Sequence, residues 1–347
     1  MQVKFFYIFL LLFAAVTRLD AQVPLQKIEA AQFFKNESIL PVTIKLDLRR
    51  LLSYKMKEVD KFPASFILKS EDSTEIREPI TLEVRGNFRK ANCYLPPLKV
   101  NFKSQASPVL SPLGSLKLVN VCMVGSKNNT EYLLKEYLIY KMYNLITDKS
   151  LRARLLKITY IDSPHKKQFN EYGFLLEDVK DMAKRNQCVE RKRDVGHTEL
   201  TDRKQMTRVA LFEFMIANCD WAVTVRHNIK LIVSKKDTNT IPFAVPYDFD
   251  HSGLVNAEYA LPPPHLDIKN VTDRSYRGFE RSMEELQEVA DEFLKQKEKM
   301  YKLVKEFDLL SSYARKEMIV FLDDFFEIIS KPKEIKNEFI LNARKDY

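Results

Sequence analysis

Hydrophobic periodicity constrains this chain most, because it changes period near the middle. In the first half apolar residues recur every second position: Val42, Ile44 and Leu46 against Thr43, Lys45 and Asp47, then Ile80, Leu82 and Val84, then Leu98, Val100 and Phe102. Alternation of this kind gives a strand one buried and one wet face, the pattern of an antiparallel sheet. Ser115–Val121, Leu155–Asp162 and Tyr172–Asp178 read as further strands, and Asn129–Ile146 as one helix among them. The second half turns helical. Leu200–Asn218 follows a Thr201 cap signal and becomes apolar almost all round, which marks a buried helix. Beyond Arg281, Leu286, Val289, Phe293, Met300, Leu303 and Phe307 form one stripe, and Met318, Phe321, Leu322, Phe325 and Ile328 another.

An unbroken apolar run, Phe5–Val16, follows Lys4 at the N-terminus. It is shorter than the ~20 residues a spanning helix needs, so residues 1–21 read as a secretory signal cleaved near Ala21. An uncleaved anchor is the alternative. No other stretch is apolar enough to span a bilayer, so the mature chain is expected to carry no transmembrane segment and to be exported: periplasmic, secreted or at the cell surface. The expected organisation is then a strand-rich N-terminal lobe over 22–180 and a mostly helical C-terminal lobe over 181–347.

The net charge is +9, but acids and bases mix along most of the chain, which argues against a nucleic-acid partner. The densest basic tract, Lys184–His197, has polar spacers and no aromatic residue. It reads as a solvated loop, or second as a docking point for an acidic partner. Glycine is scarce, seven in 347 residues, and neither a Walker loop nor a GxGxxG occurs, which argues against P-loop and Rossmann chemistry. Cys93, Cys122, Cys188 and Cys219 lack zinc-site spacing; disulfides and buried thiols are equally good accounts of them.

The segment "NCDWAVTVRHNIKL", Asn218–Leu231, concentrates the chemistry. Asp220 leaves the buried helix, and Asn228 opens a strand. A polar turn at Lys235–Thr240 leads into a short or edge strand flanked by Pro242 and Pro246, and then to "YDFDHSG" with Asp248 and Asp250. A hairpin returns the end of its second strand to the start of its first, so these acids should come back beside Asn228 and Asp220. Such oxygen donors suit Mg²⁺ or Mn²⁺ and the logic of phosphoryl transfer, with one Asp as base and an Asn and a later Asp on the metal. Asp, Asn, Ser and Gly are also ordinary turn residues, and that reading competes evenly. His227 either orients a neighbouring acid or is a satisfied hairpin histidine. Trp221 reads as core under the turn. Arg274 and Arg277 either reach phosphate or belong to a solvated connection. The absence of a Gly-x-Ser-x-Gly elbow argues against a serine hydrolase.

These residues resemble a family. "LFEFMIANCDWAVTVRHNIKL…VPYDFDHSGL" is similar to the spore-coat CotH kinase-like family and, more distantly, to HipA-like atypical kinases; "EVRGNFRK…PPLKVNF" and "YGFLLED" resemble that family's earlier elements. The resemblance runs from about Val84 to Tyr276. It implies an α+β, two-lobed atypical protein-kinase-like fold and Mg-ATP-dependent phosphorylation of a protein substrate, surface component or other hydroxyl acceptor. It implies Asp220 as the catalytic acid, with Asn228 and Asp248 as metal ligands and Asp250 as an assistant or a turn cap. Arg85-Gly86-Asn87 would face the nucleotide phosphates, with Lys99 (or Lys103) the phosphate-binding lysine. Glu177 would meet the nucleotide or pair with a lysine. A catalytically silent envelope or surface binding protein and a metal-dependent hydrolase are the alternatives.

Overall fold

The computed structural model describes residues 27–57, 61–69, 75–86, 88–102, 109–264 and 266–345. The expected signal segment, Asn87, Lys103 and His265 lie outside the described residues.

The N-terminal part builds α1 (Ala30–Lys35), β1 (Leu40–Leu46), α2 (Leu48–Tyr54), β2 (Phe62–Lys69), β3 (Glu75–Val84), α3 (Phe88–Asn92), β4 (Leu98–Asn101) and β5 (Ser115–Asn120). Then follow α4 (Lys127–Ile146), β6 (Ala153–Asp162) and β7 (Lys167–Leu176). These strands close into a seven-stranded barrel in the order β1-β2-β3-β4-β5-β7-β6. Closure comes from β6, which pairs antiparallel with β7 and parallel with β1, in a register that sets Ile44 against Tyr160. Ile44, Phe66, Leu82, Val100, Leu118 and Ile158 fill the interior. Inside it the Tyr160 hydroxyl donates to Asn120 Oδ1 at 2.6 Å, and Asn120 Nδ2 donates to the Pro96 carbonyl at 3.1 Å.

This closed, mixed barrel overturns the expected two-lobed kinase-like plan with a purely antiparallel sheet. A twisted sheet whose first and last strands both carry apolar alternation removes its exposed edges by pairing them. Each strand pattern reports its own faces and not its partner, so closure by a parallel β1–β6 pair left no local signal. β2 also escaped the reading, because Pro63 and the consecutive buried Phe66, Ile67 and Leu68 break strict alternation.

The outer face of β5, β6 and β7 carries Val119, Leu155 and Phe174 into a second core with α4. The same core takes in the C-terminal helices. Those are α6 (Arg203–Met215), α7 (Met283–Lys305) and α8 (Ser312–Ile329), preceded by α5 (Val179–Arg185) and followed by α9 (Pro332–Ile335) and a π-helical turn at Lys336–Leu341. α6 is capped by Asp202, whose side chain accepts the Gln205 N–H, rather than by Thr201. α7 begins with a reciprocal Ser282–Glu285 capping box. The strands β8 (Cys188–Glu190), β9 (Ile229–Ser234) and β10 (Phe243–Pro246) form a small sheet in the order β10-β9-β8, which leaves Pro246 on an edge strand as expected. β8 lies inside the basic tract expected to be loop. No described helix is long and apolar enough to cross a membrane.

Both accounts of the cysteines hold, one for each pair. Cys93 and Cys122 form a disulfide with Cα atoms 4.6 Å apart, while Cys188 and Cys219 are buried free thiols. The bond closes a loop of sequence separation 29, for which chain entropy gives about 3–4 kcal/mol of stabilisation. Replacing both Cys93 and Cys122 with Ser should therefore lower the denaturant midpoint of unfolding. An unchanged midpoint would show that the cross-link adds nothing.

Candidate functional site

Asp220 owes its position to the way α6 ends. Ala217 takes a left-handed backbone (φ 51°), and the Asn218 N–H returns to the Glu213 carbonyl at 2.8 Å. Gly253 and Leu254 then donate their N–H groups to the carbonyls of Ala217 and Ile216, both at 3.0 Å, so the segment after the hairpin is stitched to the helix end. Only glycine fits at 253, since a Cβ there would lie 2.8 Å from the Ala217 Cβ and 2.6 Å from the Val271 carbonyl oxygen. Trp221 is buried and donates its indole N–H to the Asn218 carbonyl at 3.1 Å, packing under the turn as the sequence suggested.

An isolated bridge between Ala222 and His227 folds the next residues back on themselves. His227 Nε2 comes to 2.7 Å from Asp220 Oδ1. Asn228 Nδ2 donates to the other carboxylate oxygen at 3.0 Å and to the Asp220 carbonyl at 2.7 Å. The carboxylate is thus held from both sides, and its side chain remains 39% exposed at the surface. The Tyr247 N–H donates to the Asn228 carbonyl at 3.0 Å, which places Asp248 one residue beyond this contact. Asn228 and Asp248 both adopt left-handed backbones (φ 51° and 69°), a conformation Asn and Asp tolerate better than most residues. Each such residue still costs on the order of 1 kcal/mol, and such strain gathers at functional sites.

Asp248 faces a second group of charges between the barrel and α4. Its N–H donates to the Tyr140 hydroxyl at 2.8 Å. Asp250 is buried, accepts the Tyr259 hydroxyl at 3.1 Å, and lies 3.8 Å from Arg89. Glu136, from α4, is buried with Oε1 unpartnered. Burial, then the charges of Asp250 and Asp248, push the Glu136 carboxyl well above the usual range. Burial and Asp248 likewise raise Asp250. Burial disfavours the Arg89 charge, yet Tyr259, Asp250, Glu136 and Asp248 together raise its pKa. Burial beside neighbouring acids thus makes the Glu136 and Asp250 carboxyls harder to ionise than exposed ones, and Glu136 Oε1 has no hydrogen-bond partner among the described residues to oppose this.

Lys117 completes this group. It projects from the outer face of β5 over the Tyr247 ring, 4.2 Å from its centroid. Burial, then the positive charges of Arg85 and Lys230, lower its pKa to about 8, with Asp248 opposing them. The sequence pointed instead to Lys99, its cross-strand neighbour on β4. Lys99 is 3.2 Å from Glu83 and takes no part in the acid group. Alternation gives both lysines the same face, and only the packing of Tyr247 separates them.

Arg85 reaches the group, since its charge acts on Lys117, Glu136 and Tyr140. Gly86 follows at φ 76°, a turn that suits glycine. Glu177 does not line the site: it is buried, paired with Arg185 Nε at 3.0 Å, and accepts the Arg152 N–H at 3.0 Å. Arg274 and Arg277 do not reach a phosphate position either. Arg274 bonds the Phe321 carbonyl and stacks on the Phe321 ring, while Arg277 bonds the carbonyls of Cys219 and Trp221. Sequence reasoning missed Glu136, Arg89 and Lys117. Glu136 carries a signal in hindsight, being an acid among the buried positions of α4.

The acids Asp220, Asp248 and Asp250 are neighbours along the stitched backbone without forming a tight trio. Among the described residues, the group of three such side chains with ligand atoms all within 4.8 Å of one another is Asp47, Asp162 and His165, at the far end of the barrel wall. There Asp47 accepts the Arg50 N–H, Asp162 accepts the Leu48 N–H, and His165 Nδ1 lies 3.0 Å from Asp162.

Two pH effects follow, with opposite signs. Lys117 has a lowered pKa, so between pH 8 and its ordinary value of 10.5 the unfolded chain binds more protons, and stability rises with pH across that window. Lys117→Met should flatten this rise in thermal melts. Glu136 has a raised pKa, so its cost grows as pH climbs above its ordinary 4.5. Glu136→Gln should therefore raise the melting temperature more at pH 7.5 than at pH 4.5, and an equal change at both would contradict the assignment.

Comparison with known proteins gave no significant match, either to a protein-family model or to a curated protein, so the chemistry of the site rests on its own residues.

Proposed function

We propose that this protein transfers a phosphoryl group from ATP, with Mg²⁺ or Mn²⁺, to a hydroxyl of a protein substrate, a surface component or another acceptor. The observation that carries this reading is the bracketing of the accessible Asp220 carboxylate by His227 and Asn228, one backbone contact away from Asp248 and the basic group of Lys117, Arg85 and Arg89. Similarity of these same segments to the CotH kinase-like family supports it. The reading does not need the two-lobed plan that the barrel replaces.

Oxygen donors remain open for a hard divalent cation. Asn228 spends its NH₂ group on Asp220, which leaves Oδ1 free, and Glu136 Oε1 is a buried atom without a partner. Asn228 and the Asp248 carboxylate would hold the ion, with Asp250 as an assistant. When bound, the ion supplies neutralisation of phosphate charge. The chain's own residues do the rest. Lys117, charged below about pH 8, and Arg85 attract the phosphates. His227 and Asn228 fix the direction of the Asp220 lone pairs. As the acceptor oxygen bonds the terminal phosphorus and the bond to the ADP oxygen breaks, the hydroxyl proton passes to Asp220.

The setting of this reaction is proposed to be outside the cytoplasm. The apolar run at residues 5–16 and the Cys93–Cys122 disulfide support export, since disulfides persist in oxidising compartments. A second reading, a catalytically silent binding protein of the envelope or surface, draws on Arg89, which balances Asp250 and Glu136 without any cation.

ATP with Mg²⁺ or Mn²⁺ should raise the melting temperature of the wild-type chain, and Asp248→Ala should abolish that rise. Asp220→Asn should keep the rise but lose phosphoryl transfer by roughly 10²–10⁴-fold. A wild-type chain indifferent to metal and nucleotide would favour the silent binder. Phosphate release with no acceptor labelled would point to a hydrolase.

A further inference from the structure

At the opposite end of the β9–β10 hairpin from Asp220 lies a cleft of about 710 Å³. Lys180 and Lys184 reach it from α5, Lys192 from beyond β8, and Lys235 and Lys236 from the turn after β9. Glu190 is the one acid on its wall. All five lysines are exposed, and among the described residues none lies within ion-pair distance of a carboxylate. Some surface cations elsewhere are paired, as Lys204 is with Glu288 and Glu292, Lys141 with Glu37 and Lys331 with Glu327; what sets these five apart is their convergence on one concavity. Five like charges around one concavity repel one another, and an anionic occupant would offset that repulsion.

The turn that gathers them is fixed rather than loose. Gln187 takes a left-handed backbone at φ 56°, and its carbonyl accepts the Lys235 N–H at 2.9 Å, tying α5 and β8 to the end of β9. The floor is apolar, made by Cys188 and Val189, and no aromatic ring lines the cleft. A single-stranded nucleic acid wants stacking aromatics along its basic track. An extended polypeptide needs only charge complementarity and a partly apolar floor.

We propose that this cleft docks an acidic, Asp/Glu-rich segment of a partner polypeptide. It lies about 20 Å from Asn228 at the usual rise along β9, a span that about six extended residues cover. The docking stands apart from whatever chemistry occurs at Asp220.

Fluorescence anisotropy of a labelled Glu-rich peptide with the full chain tests it. Binding should weaken as salt rises. The double variant Lys235→Glu/Lys236→Glu should lose at least about tenfold in affinity. Lys157→Glu, an exposed change on the barrel, and Asp220→Asn should bind as wild type does. Equal binding by the double variant and the wild type overturns the proposal. So does an oligonucleotide of matched charge that binds as tightly as the peptide, since the cleft would then be reading charge alone.

Discussion

Two backbone hydrogen bonds fix the candidate site, those from Gly253 and Leu254 to the carbonyls of Ala217 and Ile216 at the exit of α6. A helix end leaves carbonyls without partners, and here the strand of chain that follows the acidic hairpin supplies them. Because that chain has to return to the helix, the hairpin between has to close on itself. Asp220, at its entrance, thereby stands beside Asn228 and within one backbone contact of Asp248. The missing Cβ at Gly253 permits the approach, and the left-handed Ala217 turns the helix end to receive it. Position at the site is thus bound to helix termination, a local event with long-range consequences.

Much of this geometry was legible in the residues themselves. The apolar helix, the polar turn and the prolines around β10 dictate a hairpin, and a hairpin dictates that its two ends meet. The barrel was not legible, because closure depends on a parallel pairing between strands far apart in the chain, whose side-chain alternation is the same in an open sheet. The choice of Lys99 over Lys103 did not weigh Lys117 for a related reason: neighbours in register share a face, and only the tertiary placement of Tyr247 tells Lys99 and Lys117 apart. Glu177 and Arg277 were each left between two roles, because a charged residue near a site is as readily a clamp on a neighbour as a ligand for substrate. Glu177 grips Arg185, and Arg277 holds the carbonyls on either side of Asp220.

The two groups of charge differ in kind. Asp220 is accessible, and its carboxylate is held by His227 and Asn228. Glu136 and Asp250 are buried beside Arg89, where low dielectric makes each charge expensive and both carboxyls are harder to ionise. An arrangement of that second kind weakens the fold, and replacing it with apolar side chains is often tolerated or stabilising.

Arg89 belongs to α3, a helix of five residues that has no means of standing alone in water. The residue after this helix is Cys93, and its bond to Cys122 ties the short helix to the strand whose Asn120 carbonyl Arg89 also grips. The counter-charge of the buried acids is therefore moored by a covalent bond that a reducing milieu would cut. The Cys93–Cys122 bond thus sits beside the guanidinium that faces the buried acids, so reducing it would act first on the anchoring of Arg89.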